Sequence, residues 1–263
     1  MSLLEVRDFG VEFHDHQTPE KVVEHVSFTL DEGEILGIVG ESGSGKSMTA
    51  LAIAGLLPRK KLIKEGSILF EGRDLLTMKR SELRELQGDE ICMIFQEPMT
   101  ALNPTMKTGL QVEEALRIHH KDMSPEQRKQ RALECLKNVE LRDAKGVYDS
   151  YPHELSGGMR QRVMIAAAMV GHPKLLIADE PTTALDVTVQ AQIIKLLKKL
   201  NEKEKLSILF ISHDLSLIEQ ISDKVQVMKK GRIVEQGSVS QIFRDPQEEY
   251  TKQLIGAIPE VRL

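Results

Sequence analysis

Tryptophan is absent, only two cysteines occur, and aromatic residues make up 4% of the chain. Two thiols, Cys92 and Cys135, are too few for a disulfide framework and cannot form a metal site by themselves. They read as reduced, small apolar packing residues of a cytosolic protein. Long apolar runs are also missing. The longest unbroken one, 163–170, falls far short of the roughly 18 residues that a membrane-spanning helix requires. No basic-then-apolar leader follows Met1, so the expectation is a chain that neither crosses a bilayer nor is exported. Blocks of like charge are lacking too: 35 basic and 40 acidic side chains leave −5, which argues against a nucleic-acid-binding stripe. There is no internal repeat and no low-complexity tract.

What is present is 263 residues, 41% of them hydrophobic, enough for one large domain or a core with an insertion and incompatible with a disordered or collagen-like chain. Short runs rich in Ile, Val and Phe alternate with longer amphipathic stretches, the pattern of parallel strands covered by helices, so the fold class is α/β. Strands are predicted over 34–39, 91–95, 175–178 and 207–211, with 225–228 and 233–234 forming a hairpin through the Lys230-Gly231 turn. Alternation at Val26, Phe28 and Leu30 predicts a strand with one wet face. From 96 to about 162 the strand signals vanish, and 109–120 and 125–138 read as helices of an inserted subdomain. The second starts on Ser124 as N-cap, with Pro125 at the first helical position and Gln127 at capping-box spacing. After Gly237 a short helix is expected around 240–243, then a break at Asp245-Pro246 and a last helical stretch ending before Pro259.

Residues 40–47 read GESGSGKS, a match to GxxxxGK[ST], and they follow an apolar strand and precede a helix predicted to run to Leu57. That context is what the motif needs. Gly40, Gly43 and Gly45 permit a tight loop whose backbone N–H groups turn inward. The following helix adds its positive end, so Gly40, Glu41, Ser42, Gly43, Ser44, Gly45, Lys46, Ser47 and Met48 form the candidate anion cradle. Lys46 brings a mobile charge to the β- and γ-phosphates, and Ser47 can place its hydroxyl on Mg²⁺. The implied ligand is a nucleoside triphosphate with magnesium. Residues 175–180, LLIADE, then place two carboxylates at the end of an apolar strand, the edge where open α/β sheets bind ligands. Asp179 would hold Mg²⁺ through its water shell, and Glu180 would orient and polarise the attacking water.

A guanine-reading NKxD element is not supported, since the nearest string, 201–204, has neither the Lys nor the Asp in place. A further string decides between the remaining phosphate-loop families: LSGGMRQR at 155–162, directly before an apolar helix. With it, the chain resembles the ATP-binding cassette (ABC) ATPases over nearly its whole length, in motif order and spacing. The series runs from the phosphate loop through Gln96, the signature and LLIADE to Ala184-Leu185-Asp186 and His213. The resemblance implies a phosphate-loop NTPase core of RecA-like, ABC type with an antiparallel β subdomain and an inserted α-helical subdomain. It divides the single domain 1–263 into a core of 1–95 and 163–235, a helical subdomain of 96–162 and a C-terminal extension of 236–263. It also implies roles. Ser156, Gly157 and Gly158 would cover the γ-phosphate of an ATP held by a second such subunit, two ATP molecules being sandwiched head to tail. Gln96 would reach the Mg²⁺ and its waters, His213 would contact the γ-phosphate and position Glu180, and Asp186 would cross the dimer interface. Ser156 and Asp186 also fit as ordinary helix N-caps. Phe13 is the candidate for stacking on adenine, with a core position in the first strand as its other reading and His14 as the weaker candidate.

Four strings narrow the resemblance: FQEPMTALNP at 95–104, YPHELSGGMRQR at 151–162, DEPTTALDVTVQAQI at 179–193 and DPQEEYTKQLIGAIP at 245–259. They are similar to the dipeptide, oligopeptide and nickel importer branch. That implies a peripheral subunit on the cytoplasmic face of the membrane, paired with a second ATPase subunit, a paralogue or an identical copy. Two permease subunits and an extracytoplasmic solute-binding protein would complete the system, with no nucleic acid involved. Around 96–104 a short helix of the permease would dock. No cysteine follows Cys135 before Leu263, which tilts the expected solute from di- or oligopeptides toward nickel or another metal complex, and Thr183 stands where serine is often found. The competing reading is a soluble ABC ATPase of the DNA-repair or ribosome-associated type. Against it stand the absence of any sustained heptad run and the single phosphate loop and signature.

Overall fold

The computed structural model describes residues 2–13, 20–57, 62–96, 101–183 and 185–258, so His14, 97–100 of the expected docking segment, Ala184 and Pro259 lie outside the described residues. The chain forms two compact units, Met1–Leu83 with Ser207–Leu263, and Arg84–Leu206.

The first unit contains an antiparallel sheet of β1 (Ser2–Phe13), β2 (Glu20–Asp31), β4 (Leu62–Phe70) and β5 (Arg73–Asp74), in the order β2-β1-β4-β5. Its register sets Leu4 opposite Leu30 and Phe70, and Val6 opposite Phe28 and Ile68. All of these are buried, while the intervening residues of β2 face water, as the alternation at Val26, Phe28 and Leu30 predicts. The same unit holds β3 (Ile35–Val39), which runs parallel to both β8 (Ser207–Ser212) and β9 (Lys224–Lys229), and β10 (Arg232–Ser238), antiparallel to β9. Every residue of β3 and β8 is buried, the mark of strands covered on both faces. Each such Ile or Leu contributes roughly 1.5–3 kcal/mol by leaving water. Glu34 stays outside β3 because its carboxylate accepts from the Asp31 N–H at 2.9 Å and meets Lys224 at 2.7 Å, which makes it a turn residue.

Helix α1 (Lys46–Ile53) follows β3 and ends before Leu57, because Gly55 adopts φ +68°, the left-handed conformation that stops a helix. The remaining helices of this unit are α9 (Leu215–Ile221), α10 (Val239–Arg244) and α11 (Glu249–Gly256), the last two bracketing the expected Asp245-Pro246 break. The helix α2 (Arg80–Leu86) carries the chain into the second unit.

In the second unit β6 (Ile91–Ile94) and β7 (Leu175–Asp179) run parallel, with Ile94 opposite Ala178. Among the described residues of 96–162 there is no strand. The predicted helix over 109–120 is two pieces, α3 (Thr108–Val112) and α4 (Glu114–His119), meeting at Glu113. The Glu113 side chain is buried and accepts the Tyr148 hydroxyl, so the residue at the junction is held by a tertiary contact that no local pattern encodes. Helix α5 (Pro125–Asn138) starts as predicted: Ser124 Oγ accepts from Gln127 N–H at 3.3 Å, and Gln127 Oε1 accepts from Ser124 N–H at 2.7 Å. Then come α6 (Ala144–Asp149), a 3₁₀ turn at Pro152–Glu154, α7 (Gly157–Met169) and α8 (Val187–Glu204). Both cysteines are free and buried, and burial pushes the Cys92 thiol up to about 12. No helix among the described residues is long and apolar enough to cross a membrane.

Candidate functional site

The phosphate-loop motif lies where buried β3 gives way to α1, so the loop starts from one of the least mobile kinds of backbone, a strand buried on both faces. Gly40 has no room for a side chain: a β-carbon there would stand 2.0 Å from the Met228 carbonyl oxygen. Gly45 is the N-cap of α1, and no side chain caps this helix. The first turn of α1 carries no acidic residue either, so the positive end of the helix opens onto the loop. Glu41, Ser42, Gly43 and Ser47 are exposed, while Ser44, Gly45 and Lys46 are buried and Met48 is half-buried. The Lys46 ammonium donates to Gly40 O at 2.7 Å and to Glu41 O at 2.9 Å, folding back over its own loop. A buried ammonium bonded to main-chain carbonyls has a strong preference for an anion, and the cradle therefore fits a phosphate chain.

Two other parts of the first unit brace this loop, and neither was marked as functional by any motif. Gly231, in the turn between β9 and β10, donates its N–H to Ser44 O at 3.0 Å, and Gly231 O in turn accepts the Glu24 N–H at 2.8 Å. Tyr250 of α11 accepts the Glu41 N–H on its hydroxyl at 3.1 Å. His213, directly after β8, is exposed on a turn whose neighbours are pinned: Asp214 N–H donates to Ser212 Oγ at 2.9 Å, and Asp214 caps α9 through Ser216 N–H at 2.8 Å. Phe13 sits half-exposed at the end of β1, opposite Glu20 and Leu62, so it is not a core residue of the first strand.

In the second unit the sequence-predicted residues fall into two groups. Asp179 closes β7 and is 7% exposed, and Glu180 follows it with φ +47°, a left-handed conformation that is costly for a residue with a Cβ. Gln96, directly past β6, donates from Nε2 to Glu180 Oε2 at 2.8 Å, and Thr183 donates from Oγ1 to the same oxygen at 2.9 Å. These two neutral donors fix the orientation of the carboxylate, as a group that orients a water requires. Thr183 keeps the hydroxyl that serine would bring and uses it on Glu180.

The other group is Ser156, Gly157, Gly158 and Asp186. Ser156 caps α7 through Met159 N–H at 3.3 Å, and Asp186 caps α8 through Val189 N–H at 3.0 Å, so the N-cap reading holds for both. The two glycines are half-buried and pack against Leu185 and Val189, which flank Asp186. The start of α7 and the start of α8 therefore form one surface. Next to them Val187 is 81% exposed, an unusual place for a β-branched apolar side chain.

A family model described as ABC transporter matches residues 23–183. The chain is 50% identical over 260 residues to a dipeptide transport ATP-binding protein, DppD, of Haemophilus influenzae, covering 99% of this chain and 78% of that one. It is 51% identical over 258 residues to an oligopeptide transport ATP-binding protein, OppD, of Bacillus subtilis, covering 98% and 72%. Among solved structures, the dimeric post-hydrolysis state of the ATP-binding cassette MJ0796 with ADP and Pi superposes at a TM-score of 0.80. It is 30% identical and covers 90% of this chain and 98% of that one.

Proposed function

Since the chain belongs to the ABC transporter family and is an ATPase coupled to transport, we propose that it powers uptake of di- and oligopeptides through separate membrane subunits. The relatives' names favour peptide over nickel as the solute class. The observation that carries the ATPase reading is the buried Lys46 ammonium folded onto the carbonyls of its own loop. In this reading Lys46 releases those carbonyls and takes β- and γ-phosphate oxygens instead, exchanging neutral acceptors for charged ones. Residues 40–48 wrap the phosphates with main-chain N–H groups, and Phe13 stacks on the adenine.

Ser47, Asp179 and Gln96 would hold Mg²⁺, which supplies charge neutralisation at the phosphate oxygens. Glu180, held by Gln96 and Thr183, orients the attacking water and accepts its proton. Because Gln96 is bonded to Glu180, a displacement of the segment that follows Gln96 would shift the base. This couples the inserted helices of 96–162 to hydrolysis, and the permease would act on the same segment. His213 would contact the γ-phosphate. Ser156, Gly157, Gly158 and Asp186 would face the nucleotide and interface of a second ATPase subunit, where exposed Val187 would also be covered.

The chain would then work on the cytoplasmic face of the membrane, bound to two permease subunits and served by an extracytoplasmic binding protein. The test is purification of the assembled complex and measurement of its ATPase with binding protein loaded with peptide or with nickel. Stimulation by the peptide-loaded protein is the expected result. Stimulation by nickel alone overturns the solute class, and failure to co-purify with membrane subunits overturns the transport role.

A further inference from the structure

The phosphate loop is held from an unexpected direction, by the C-terminal helix. Helix α11 is seated by Glu235 of β10, whose carboxylate accepts from Gln247 N–H at 2.7 Å and from Glu248 N–H at 3.2 Å. Tyr250 is 6% exposed and Thr251 0% exposed, so one side of the first helical turn is packed while Glu249 and Lys252 face water. The Lys229 ammonium lies 4.3 Å from the centre of the Tyr250 ring and fixes its face. The hydroxyl is then brought to Glu41, where it accepts the main-chain N–H at 3.1 Å and also meets the Glu41 side chain.

That N–H belongs to the Gly40–Glu41 peptide unit, and the carbonyl of the same unit is Gly40 O, which accepts from the Lys46 ammonium at 2.7 Å. The Gly40–Glu41 peptide is trans, like every peptide bond among the described residues, so the N–H and C=O of this unit point in opposite directions. Tyr250 on one side therefore decides that the carbonyl faces Lys46 on the other. Turning the unit over would lose the tyrosine acceptor and aim an N–H dipole at an ammonium.

We propose that Tyr250 is a positioning residue for nucleotide binding, which acts through the Gly40–Glu41 peptide to set the place of the Lys46 ammonium. The proposal rests on the reading of residues 40–48 as the triphosphate site. It makes the segment after Asp245-Pro246 part of the nucleotide-binding apparatus. A structural tail would account for the burial of Tyr250 and Thr251 but not for a hydroxyl bonded to the peptide whose carbonyl makes the shortest of the lysine's bonds to the loop.

The experiment uses the full chain and compares wild type, Tyr250→Phe and Lys46→Ala by direct ATP binding, turnover at saturating ATP, thermal melting and amide hydrogen exchange. Tyr250→Phe removes the acceptor and keeps the ring. The expected result is an ATP Kd raised about five-fold, the factor for loss of one ordinary hydrogen bond, with turnover at saturating ATP within two-fold and faster exchange at the Glu41 amide. A folded Tyr250→Phe with unchanged Kd overturns the proposal, as does a lowered Tm with unchanged Kd, which would mark a packing role alone. Should the variant fail to fold, exchange in the nucleotide-free wild type decides: a protected Glu41 amide supports the tether, and exchange at the rate of an unstructured peptide overturns it. Equal ATP binding by wild type and Lys46→Ala would instead refute the triphosphate site itself, and the tether with it.

Discussion

The two units hold their chemistry in opposite ways. In the first, the phosphate loop is a backbone structure: a buried strand leads in, Gly231 N–H and Tyr250 Oη brace the main chain from outside, and the buried lysine is bonded to carbonyls. In the second, Glu180 is a side chain in a bend, contacted by two other side chains, Gln96 and Thr183. The lesson is a division of labour. In the proposed reading, grip on the phosphates is built into the main chain, whereas the hydrolytic carboxylate hangs from side-chain contacts that a small movement can make or break.

Glu180→Gln cuts this contrast most deeply. It keeps the shape and one acceptor oxygen for Gln96 and Thr183, exchanges the other oxygen for an NH2 group, and removes the base. Turnover should fall about 10²–10⁴-fold while ATP binding persists and a closed dimer accumulates, measured by phosphate release and size-exclusion chromatography with ATP. Undiminished turnover would refute the base assignment. Next is Gly40→Ala, aimed at the backbone half. The new β-carbon meets the Met228 carbonyl, so stability should drop by about 3 kcal/mol and Tm by roughly 6–12 °C, with ATP affinity falling in parallel. A wild-type melt would show that the loop is not close-packed.

Thr183→Val sharpens the other side. With the Thr183 hydroxyl lost from Glu180, turnover should fall roughly five-fold with ATP Kd unchanged; an equal loss in both would mean that Glu180 is not separately steered. The smallest effect is expected at Gln161. This signature residue is fully buried and neither atom of its amide has a hydrogen-bond partner. Gln161→Leu should therefore raise Tm by about 2–4 °C, corresponding to about 1 kcal/mol. A lowered Tm would reveal a polar role for the amide.

Legibility in the sequence followed the range of the interaction. The β3 and β8 cores and the start of α5 depend on composition and on contacts within a few residues, and these were readable. So were the phosphate loop and the N-caps at Ser156 and Asp186, whose hydrogen bonds run three residues along the chain. The break at Glu113 was not, because its cause is Tyr148, 35 residues away. Nor were the braces from Gly231 and Tyr250: the Glu41–Tyr250 bond spans 209 residues, and nothing near Tyr250 in the sequence announces a partner in the loop. For Phe13 the sequence leaves adenine stacking and a core position in the first strand both open, and its half-exposed place at the strand end, where β1 stops pairing, removes the core position.

The backbone of Glu180 carries a consequence for evolution of the chain. A glutamate at φ +47° costs roughly 1–2 kcal/mol that glycine would not, so selection for durability alone would replace it. Glu180→Gly should melt higher than its parent and hydrolyse nothing. Its persistence in a thermally driven search through sequences would mark position 180 as one where folding gives way to work.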